Sequence, residues 1–417
     1  MKKIEIKKGI NLWLIPDGKF KTYYAGIFIH TELDKKTATE NALIPLLLKR
    51  GSKNFPTGRK IAAELENLMG ASLSAYTSKK GDDQMLCFTV TGASDEFSPF
   101  SGVTKNALGL LSDIVFDPID PVDKKYLEGE KIHLSELIES EKNDKRAYAS
   151  LRCREEMAKG TAYAVPENGY IEDIGEITAG SIKERIKEVT SSSPVDILVA
   201  GAFSEDEVIA EVKKIAEPLL ERAEERPKSA PVAPTGERYV EETMKITQGK
   251  LSVGYTLPVF APDDKLYPAA MMYNCIFGGS ASSKLFLNVR EKLSLAYYAS
   301  STYERAKGIV VVSSGIECKN FAAARDEIRA QFEEMKNGAI TPGEIDTAKK
   351  CLINTYKSAE DSLKGVVSFY LGQIISGSDS APEDMAKRIL SVTKEEIMAV
   401  AAKVNESVTY FLKGGEN

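Results

Sequence analysis

Short apolar runs punctuate the chain at residues 10–16, 23–30, 85–90, 195–201, 251–257, 309–312 and 407–414, each close to charged residues, glycine or proline. Runs of this length, rich in β-branched and aromatic side chains, read as strands. The run Tyr24-Ala25-Gly26-Ile27-Phe28-Ile29 barely alternates, so its sheet is expected to be covered on both faces. Longer segments at 98–115, 181–189, 322–336 and 393–400 read as helices. Two of them open on Ser181 and Thr393, residue types that cap a helix N-terminus. Strands and helices interleave without a regular βαβ alternation. This predicts an α+β fold with mainly antiparallel sheets.

The pattern repeats. Ser74-Ala75-Tyr76-Thr77-Ser78 is matched by Leu295-Ala296-Tyr297-Tyr298-Ala299-Ser300. Each is followed by an apolar run, a glycine (Gly92 or Gly315) and a helix-like segment. The capped helices at 181–189 and 393–400 each lead into a strand that ends in glycine, Gly201 or Gly414. Three landmarks in the same order point to an internal duplication. Residues 221–238 separate the copies, with Pro227, Pro231 and Pro234 among alternating charges. That composition reads as an extended, solvated linker. The expected organisation is two homologous domains, 1–220 and 239–417, joined by 221–238, each a mainly antiparallel sheet covered by helices.

Composition narrows the chemistry. With 43% hydrophobic and 28% charged residues the chain has the balance of a globular protein, which excludes a disordered one. The net charge is −6 and there is no basic stretch, so binding to a nucleic-acid backbone is not expected. The N-terminus, Met-Lys-Lys-Ile-Glu-Ile-Lys-Lys, has no apolar core for a signal peptide, and no apolar run approaches the ~20 residues that span a membrane. A cytoplasmic protein without membrane contact is expected. Five cysteines, none in a CxxC pair, read as reduced packing residues. There are two histidines, His30 and His133, so no site can hold two histidines one helical turn apart. Walker-type phosphate loops, GxSxG and a cysteine beside a base are all missing from the sequence.

Two segments carry a family resemblance that extends over nearly the whole chain. Residues 40–81, ENALIPLLLKRGSKNFPTGRKIAAELENLMGASLSAYTSKKG, and 277–301, FGGSASSKLFLNVREKLSLAYYASS, resemble the insulinase-like M16 peptidases of the short two-domain kind. In active members of that family a helix carries HxxEH. Its histidines bind zinc and its glutamate is the base for the attacking water. Counting back from Lys49-Arg50-Gly51-Ser52, those five positions are Ala42, Leu43, Ile44, Pro45 and Leu46. None offers a lone pair to zinc or a proton-accepting group, so no cofactor is expected. The resemblance assigns the distal zinc ligand to Glu136, as a remnant. A non-standard site drawing on His133, Glu136 and His30 is the alternative.

The second segment keeps more. Arg290 and Tyr297 stand at the family's seven-residue spacing, and Gly278 and Gly279 match its glycine-rich turn. The resemblance implies that these four residues bind substrate. It further implies a non-catalytic subunit that binds peptide or protein and pairs with a zinc-dependent catalytic M16 subunit, or with itself. Length and lost motif also resemble a degenerate bacterial type linked to modification of elongation factor P. The alternatives are a stand-alone scaffold and a metallopeptidase with a non-standard metal site.

Overall fold

The computed structural model describes residues 1–120, 123–259 and 265–415. Among these residues eleven strands form two sheets. In chain order they are β1 (Lys2–Lys7), β2 (Ile10–Pro16), β3 (Thr22–Glu32), β4 (Ser72–Lys80), β5 (Asp83–Ala93), β6 (Val195–Gly201), β7 (Arg238–Met244), β8 (Gly249–Thr256), β9 (Ala296–Glu304), β10 (Ile309–Ile316) and β11 (Asn405–Gly414). The first sheet has the order β1-β2-β6-β3-β5-β4, the second β7-β11-β8-β10-β9. In the first, β2 runs parallel to β6 and the other neighbours are antiparallel. In the second, β7 runs parallel to β11 and the others are antiparallel. The second sheet therefore repeats the first from β2 onward, strand for strand and sense for sense, as two homologous domains would. Mixed helices and sheets of this kind make the fold α+β.

The strand β1 was not evident from the sequence. Its apolar residues, Ile4 and Ile6, are isolated between charges, yet they lie two apart and both pack on the first core. The helix over Ala179–Ser192 starts earlier than Ser181 implies. Thr178 is its cap, and Ser181 closes a reciprocal capping box from the third helical position. Thr393 caps Lys394–Ala401 as expected.

Contacts divide the chain into two compact units, and not by a single cut. One unit holds residues 1–139, 165–228 and 361–375; the other holds 140–164, 229–360 and 376–417. The reason lies in the sheets. In the first unit, Ala25, Ile27 and Ile29 of β3 pack into a core with Leu43 and Leu47 of the Ala38–Leu48 helix and with Ala107 and Leu111 of the Val103–Phe116 helix. The opposite face, with Trp13, Phe28, Met85, Cys87 and Leu198, is covered by Val366, Val367 and Ile374 of the helix Leu363–Ser376. In the second unit, Ile309, Val311, Val408, Tyr410 and Leu412 are covered by Ala149, Cys153 and Met157 of the helix Lys145–Met157. Gly254 makes room for this helix, since a Cβ there would stand 2.2 Å from Met157 Sδ. Each sheet thus borrows a covering helix from the other half of the sequence.

The stretch 221–238 has no helix or strand before β7, but it is not simply solvated. The Arg222 side chain is buried, stacks on Phe116 at 5.3 Å and donates to the Ser193 carbonyl at 3.3 Å, at the C-terminal end of the Ala179–Ser192 helix. A cation there meets the negative end of the helix dipole. The Val232 backbone N–H donates to the Lys307 carbonyl at 2.9 Å. Alternating charges signalled solvent. The arginines among them instead find carbonyl and carboxylate acceptors.

Burial of the second face should dominate the docking of Leu363–Ser376. Phe28→Ala is expected to cost about 3–5 kcal/mol, the usual range for removing a buried aromatic side chain. It should also speed amide exchange across Leu363–Ser376 more than across Val103–Phe116. Urea denaturation and hydrogen-exchange mass spectrometry check both.

Candidate functional site

The helix Ala38–Leu48 carries the degenerate motif and is almost wholly buried. Ala42, Leu43, Ile44, Pro45 and Leu46 all lie inside, and Ala42 and Leu46 keep 3% and 5% of their exposure. The helix continues through Pro45, whose missing N–H removes one backbone donor. Its polar anchor is Asn41, which the sequence reading passed over. Asn41 Nδ2 donates to Gln84 Oε1 at 2.8 Å and Thr31 Oγ1 at 3.2 Å, and Asn41 Oδ1 accepts from Arg185 Nε at 2.8 Å. Gln84 Nε2 closes the net on the Ala38 carbonyl at 3.0 Å. The sequence signal was a lone amide directly before an apolar run, in a helix with little amphipathic character.

Glu136 is exposed on the helix Lys124–Ser140. The buried carboxylate of that helix is Glu130, at 0% exposure. It is ion-paired with Arg50 through Nε and Nη2, and its other oxygen is 3.1 Å from His133 Nδ1. His133 therefore turns back to Glu130, three residues earlier, and not on to Glu136. Arg50 follows the motif helix directly, so a guanidinium supplies the positive charge that neutralises this acid. The residues present do not fit zinc. Apolar side chains hold the motif positions, and the acid nearest them in sequence logic is exposed. Among the described residues no three His, Cys, Asp or Glu side chains come together as a metal-binding set.

His30 lies elsewhere, fully buried in the first unit. Its Nδ1 is 2.6 Å from Asp83 Oδ2 and its Nε2 is 3.0 Å from Asp196 Oδ2. Asp196 also accepts from Trp13 Nε1 at 2.7 Å and Asn11 Nδ2 at 3.2 Å, and pairs with Arg226 Nε at 2.6 Å. Arg226 donates in turn to the Ile374 carbonyl. Burial works against protonation of His30, but the Asp83 charge and the bonds to Asp196 and Asp83 outweigh it and raise the imidazole to about 9. Burial likewise works against ionisation of Asp196. The bond and charge of His30, with Arg226 and Trp13, overcome it and hold the carboxyl at about 2. The set is an imidazolium between two carboxylates, hydrogen-bonded through Nδ1 to Asp83 and within ion-pair distance of Asp196 through Nε2.

In the second unit the four carried-over residues fall around β9, the edge strand. Gly278 and Gly279 end a wide π-type turn, Cys275–Gly279, and Arg290 lies in a second one, Leu285–Lys292. Such turns are rare and recur near functional sites. The second closes through Ser294, a non-glycine residue at φ +50°. Arg290 stacks on Phe286 at 4.6 Å, with Glu291 Oε1 3.5 Å from its Nε, and its side chain is 42% exposed. Tyr297 is 60% exposed on β9. Gly278 has a packing role, because a Cβ there would stand 2.6 Å from both Ser301 N and Ser301 Oγ on β9. Gly279 is similarly close to Asn274, at 2.8 Å from its Nδ2.

The two sheets match at this edge. Strand β4 ends the first sheet as β9 ends the second. In β4 Ala75 is buried and Tyr76 is 44% exposed; in β9 Ala296 is buried and Tyr297 exposed. Each edge strand thus has a sheet neighbour on one side only and carries an outward tyrosine.

A two-domain α+β fold with paired sheets of this topology and a motif helix stripped of metal ligands defines the class. Residues 176–352 match the family described as "Peptidase M16 inactive domain". The chain is 34% identical over 415 residues to "Probable inactive metalloprotease YmfF" of Bacillus subtilis (strain 168), covering 98% of this chain and 96% of that protein. It superimposes on the crystal structure of a conserved protein from Enterococcus faecalis V583 with a TM-score of 0.90 and 30% identity, covering 100% of this chain and 99% of the other. A more distant likeness, 26% over 186 residues, is to "Mitochondrial-processing peptidase subunit beta" of Dictyostelium discoideum, covering 44% of this chain and 36% of that protein. The chain belongs to the M16 peptidase family, and within it to the inactive metalloprotease-like members.

Two outcomes are expected of these sites. The His30 group is raised above its unfolded value of about 6.5, so its contribution is complete below that pH and is lost as pH rises toward about 9. At about 1.4 kcal/mol per unit this amounts to roughly 3 kcal/mol. The urea midpoint should fall between about pH 6 and pH 10, and His30→Gln should flatten that dependence. Second, Gly278→Ala should destabilise by about 1–3 kcal/mol through overpacking against Ser301, with exchange rising first in β9. Thermal melts and hydrogen exchange read this.

Proposed function

We propose that the chain is a non-catalytic M16 subunit that binds an extended peptide or protein segment and pairs with a zinc-dependent catalytic M16 subunit. The observation that carries this reading is the contrast between the motif helix and the edge strands. The motif helix has apolar, buried side chains at all five motif positions, while each edge strand keeps an exposed tyrosine and a side with no sheet neighbour. An extended segment can add to such an edge by main-chain hydrogen bonds, with side chains supplying specificity. Arg290 is a half-exposed guanidinium close in sequence to β9 and suits a carboxylate or carbonyl of the bound segment. Tyr297 offers an amphipathic ring on the same edge.

Pairing has two supports. A chain that binds but cannot hydrolyse needs a second subunit to act on what it holds. The M16 relative from Dictyostelium discoideum is itself a subunit by name. Work in the cytoplasm fits five free thiols, and among the described residues no helix is long and apolar enough to cross a membrane.

The experiment is co-expression with the M16 protein of the same genome that keeps HxxEH. The chain alone should bind no zinc and cleave no peptide, while the pair should copurify, hold zinc and cleave. Arg290→Ala should weaken peptide binding by the pair about tenfold, or ~1.4 kcal/mol, with the zinc content unchanged. Failure of the two proteins to associate overturns the pairing. Stoichiometric zinc and cleavage by the chain alone overturn the non-catalytic reading.

A further inference from the structure

Two thiols that this reading does not use meet inside the second unit. Cys275 opens the wide turn Cys275–Gly279 and is buried, at 2% exposure. Cys351 lies half-buried on the helix Pro342–Glu360. Cys275 Sγ is 3.9 Å from the carbonyl of Ala348, one turn before Cys351 on that helix. That places Cys351, three residues further along the helix, beside the Cys275 thiol, whose ionisation it opposes, and both are free thiols. The remaining cysteines are set apart. Cys87 and Cys153 are buried in two different core clusters, and Cys318 lies on the short turn Cys318–Asn320.

Access divides the pair. Burial, and then the neighbouring Cys351, push the Cys275 thiol up to about 12, so it holds its proton inside the fold. Cys351 is the member that solvent reaches.

We propose that Cys275 and Cys351 are a reversible oxidation site, which a hydroperoxide converts to a disulfide. The Cys351 sulfur attacks one peroxide oxygen, the O–O bond breaks, and an alcohol or water leaves, giving a sulfenic acid at Cys351. The Cys275 sulfur then attacks the sulfenic sulfur. The S–S bond forms as the S–O bond breaks, and the Cys275 proton leaves with that oxygen as water. In sum, two thiols and one hydroperoxide give a disulfide, an alcohol and water, with two electrons passing from sulfur to the peroxide. An external thiol restores the pair by exchange.

The bond would act on the edge next to it. A disulfide holds its sulfurs about 2.05 Å apart, closer than two unbonded thiols can stand. Closing that gap draws the Cys275–Gly279 turn toward Pro342–Glu360. The same turn carries Gly278, which has no slack against Ser301 of β9. Oxidation therefore repositions β9. Its effect on peptide binding rests on the function proposed above; formation of the bond does not.

The test uses the full chain with Cys318→Ser, which removes the other half-exposed thiol. After hydrogen peroxide, quenching and alkylation under denaturing conditions, the chain should have lost two thiols. A peptide joined through Cys275 and Cys351 should appear in the digest and vanish with dithiothreitol. Adding Cys351→Ser, a half-exposed site where the fold should persist by circular dichroism, should abolish that peptide. Hydrogen exchange should differ between the oxidised and reduced forms over residues 275–280 and 296–301. An unchanged thiol count, losses that dithiothreitol does not reverse, or a bridge joining two chains would each overturn the proposal.

Discussion

Each sheet of this protein has two apolar faces, and neither half of the sequence covers both faces of its own sheet. A sheet face carrying Trp13, Phe28, Met85 and Leu198 cannot be left to water, because each such side chain contributes about 1.5–3 kcal/mol on burial. The cover is the helix Leu363–Ser376, and the second sheet is covered in the same way by Lys145–Met157. This exchange makes the two copies interdependent in folding. It explains why the compact units do not follow the repeat, and why Gly254 stands where Met157 needs space.

The same economy of burial accounts for the lost site. A zinc helix must keep two imidazoles and a carboxylate unsatisfied by protein so that they can face metal and water. In this chain those positions are apolar, and the helix Ala38–Leu48 is core, held through the buried amides of Asn41 and Gln84. What remains of the polar surroundings has been neutralised internally. Glu130 sits at 0% exposure against Arg50 and His133, an arrangement that gives this buried carboxylate its counter-charge.

Much of this was legible from the sequence, and the failures have physical causes. The strands at 10–16 and 195–201 are written in continuous apolar runs, which survive any tertiary arrangement, and they were placed to the residue. The repeated Ala-Tyr landmark was readable because the edge strand imposes the same inward-outward alternation in both copies. The remnant at Glu136 is harder to read, because a helix turns 100° per residue and an error of one or two positions moves a side chain from core to solvent. Glu130, six residues earlier, was available to the same reading. The helix exchange was not legible at all. The helices Lys145–Met157 and Leu363–Ser376 follow their neighbours in sequence as any helix would, and nothing in their periodicity names the sheet they will cover.

The buried charges around His30 are the least economical part of the structure, which makes their location informative. Taking an imidazolium, two carboxylates and a guanidinium out of water costs several kcal/mol per ion before pairing returns it, and apolar residues of similar volume would often be as stable. What apolar residues would not supply is direction. Asp196 ties β6 to β3 through His30 and to β2 through Trp13 and Asn11, while Arg226 links that carboxylate to the end carbonyls of Leu363–Ser376. A borrowed helix lying on an apolar face could slide by a turn with little loss of buried area. A fixed guanidinium between Asp196 and the Ile374 carbonyl gives one register an ion pair and a hydrogen bond that a shifted register would leave buried and unmade. On this argument the network exists to specify how the exchanged helix docks, and its cost is borne where the fold depends on a segment from the other half of the chain.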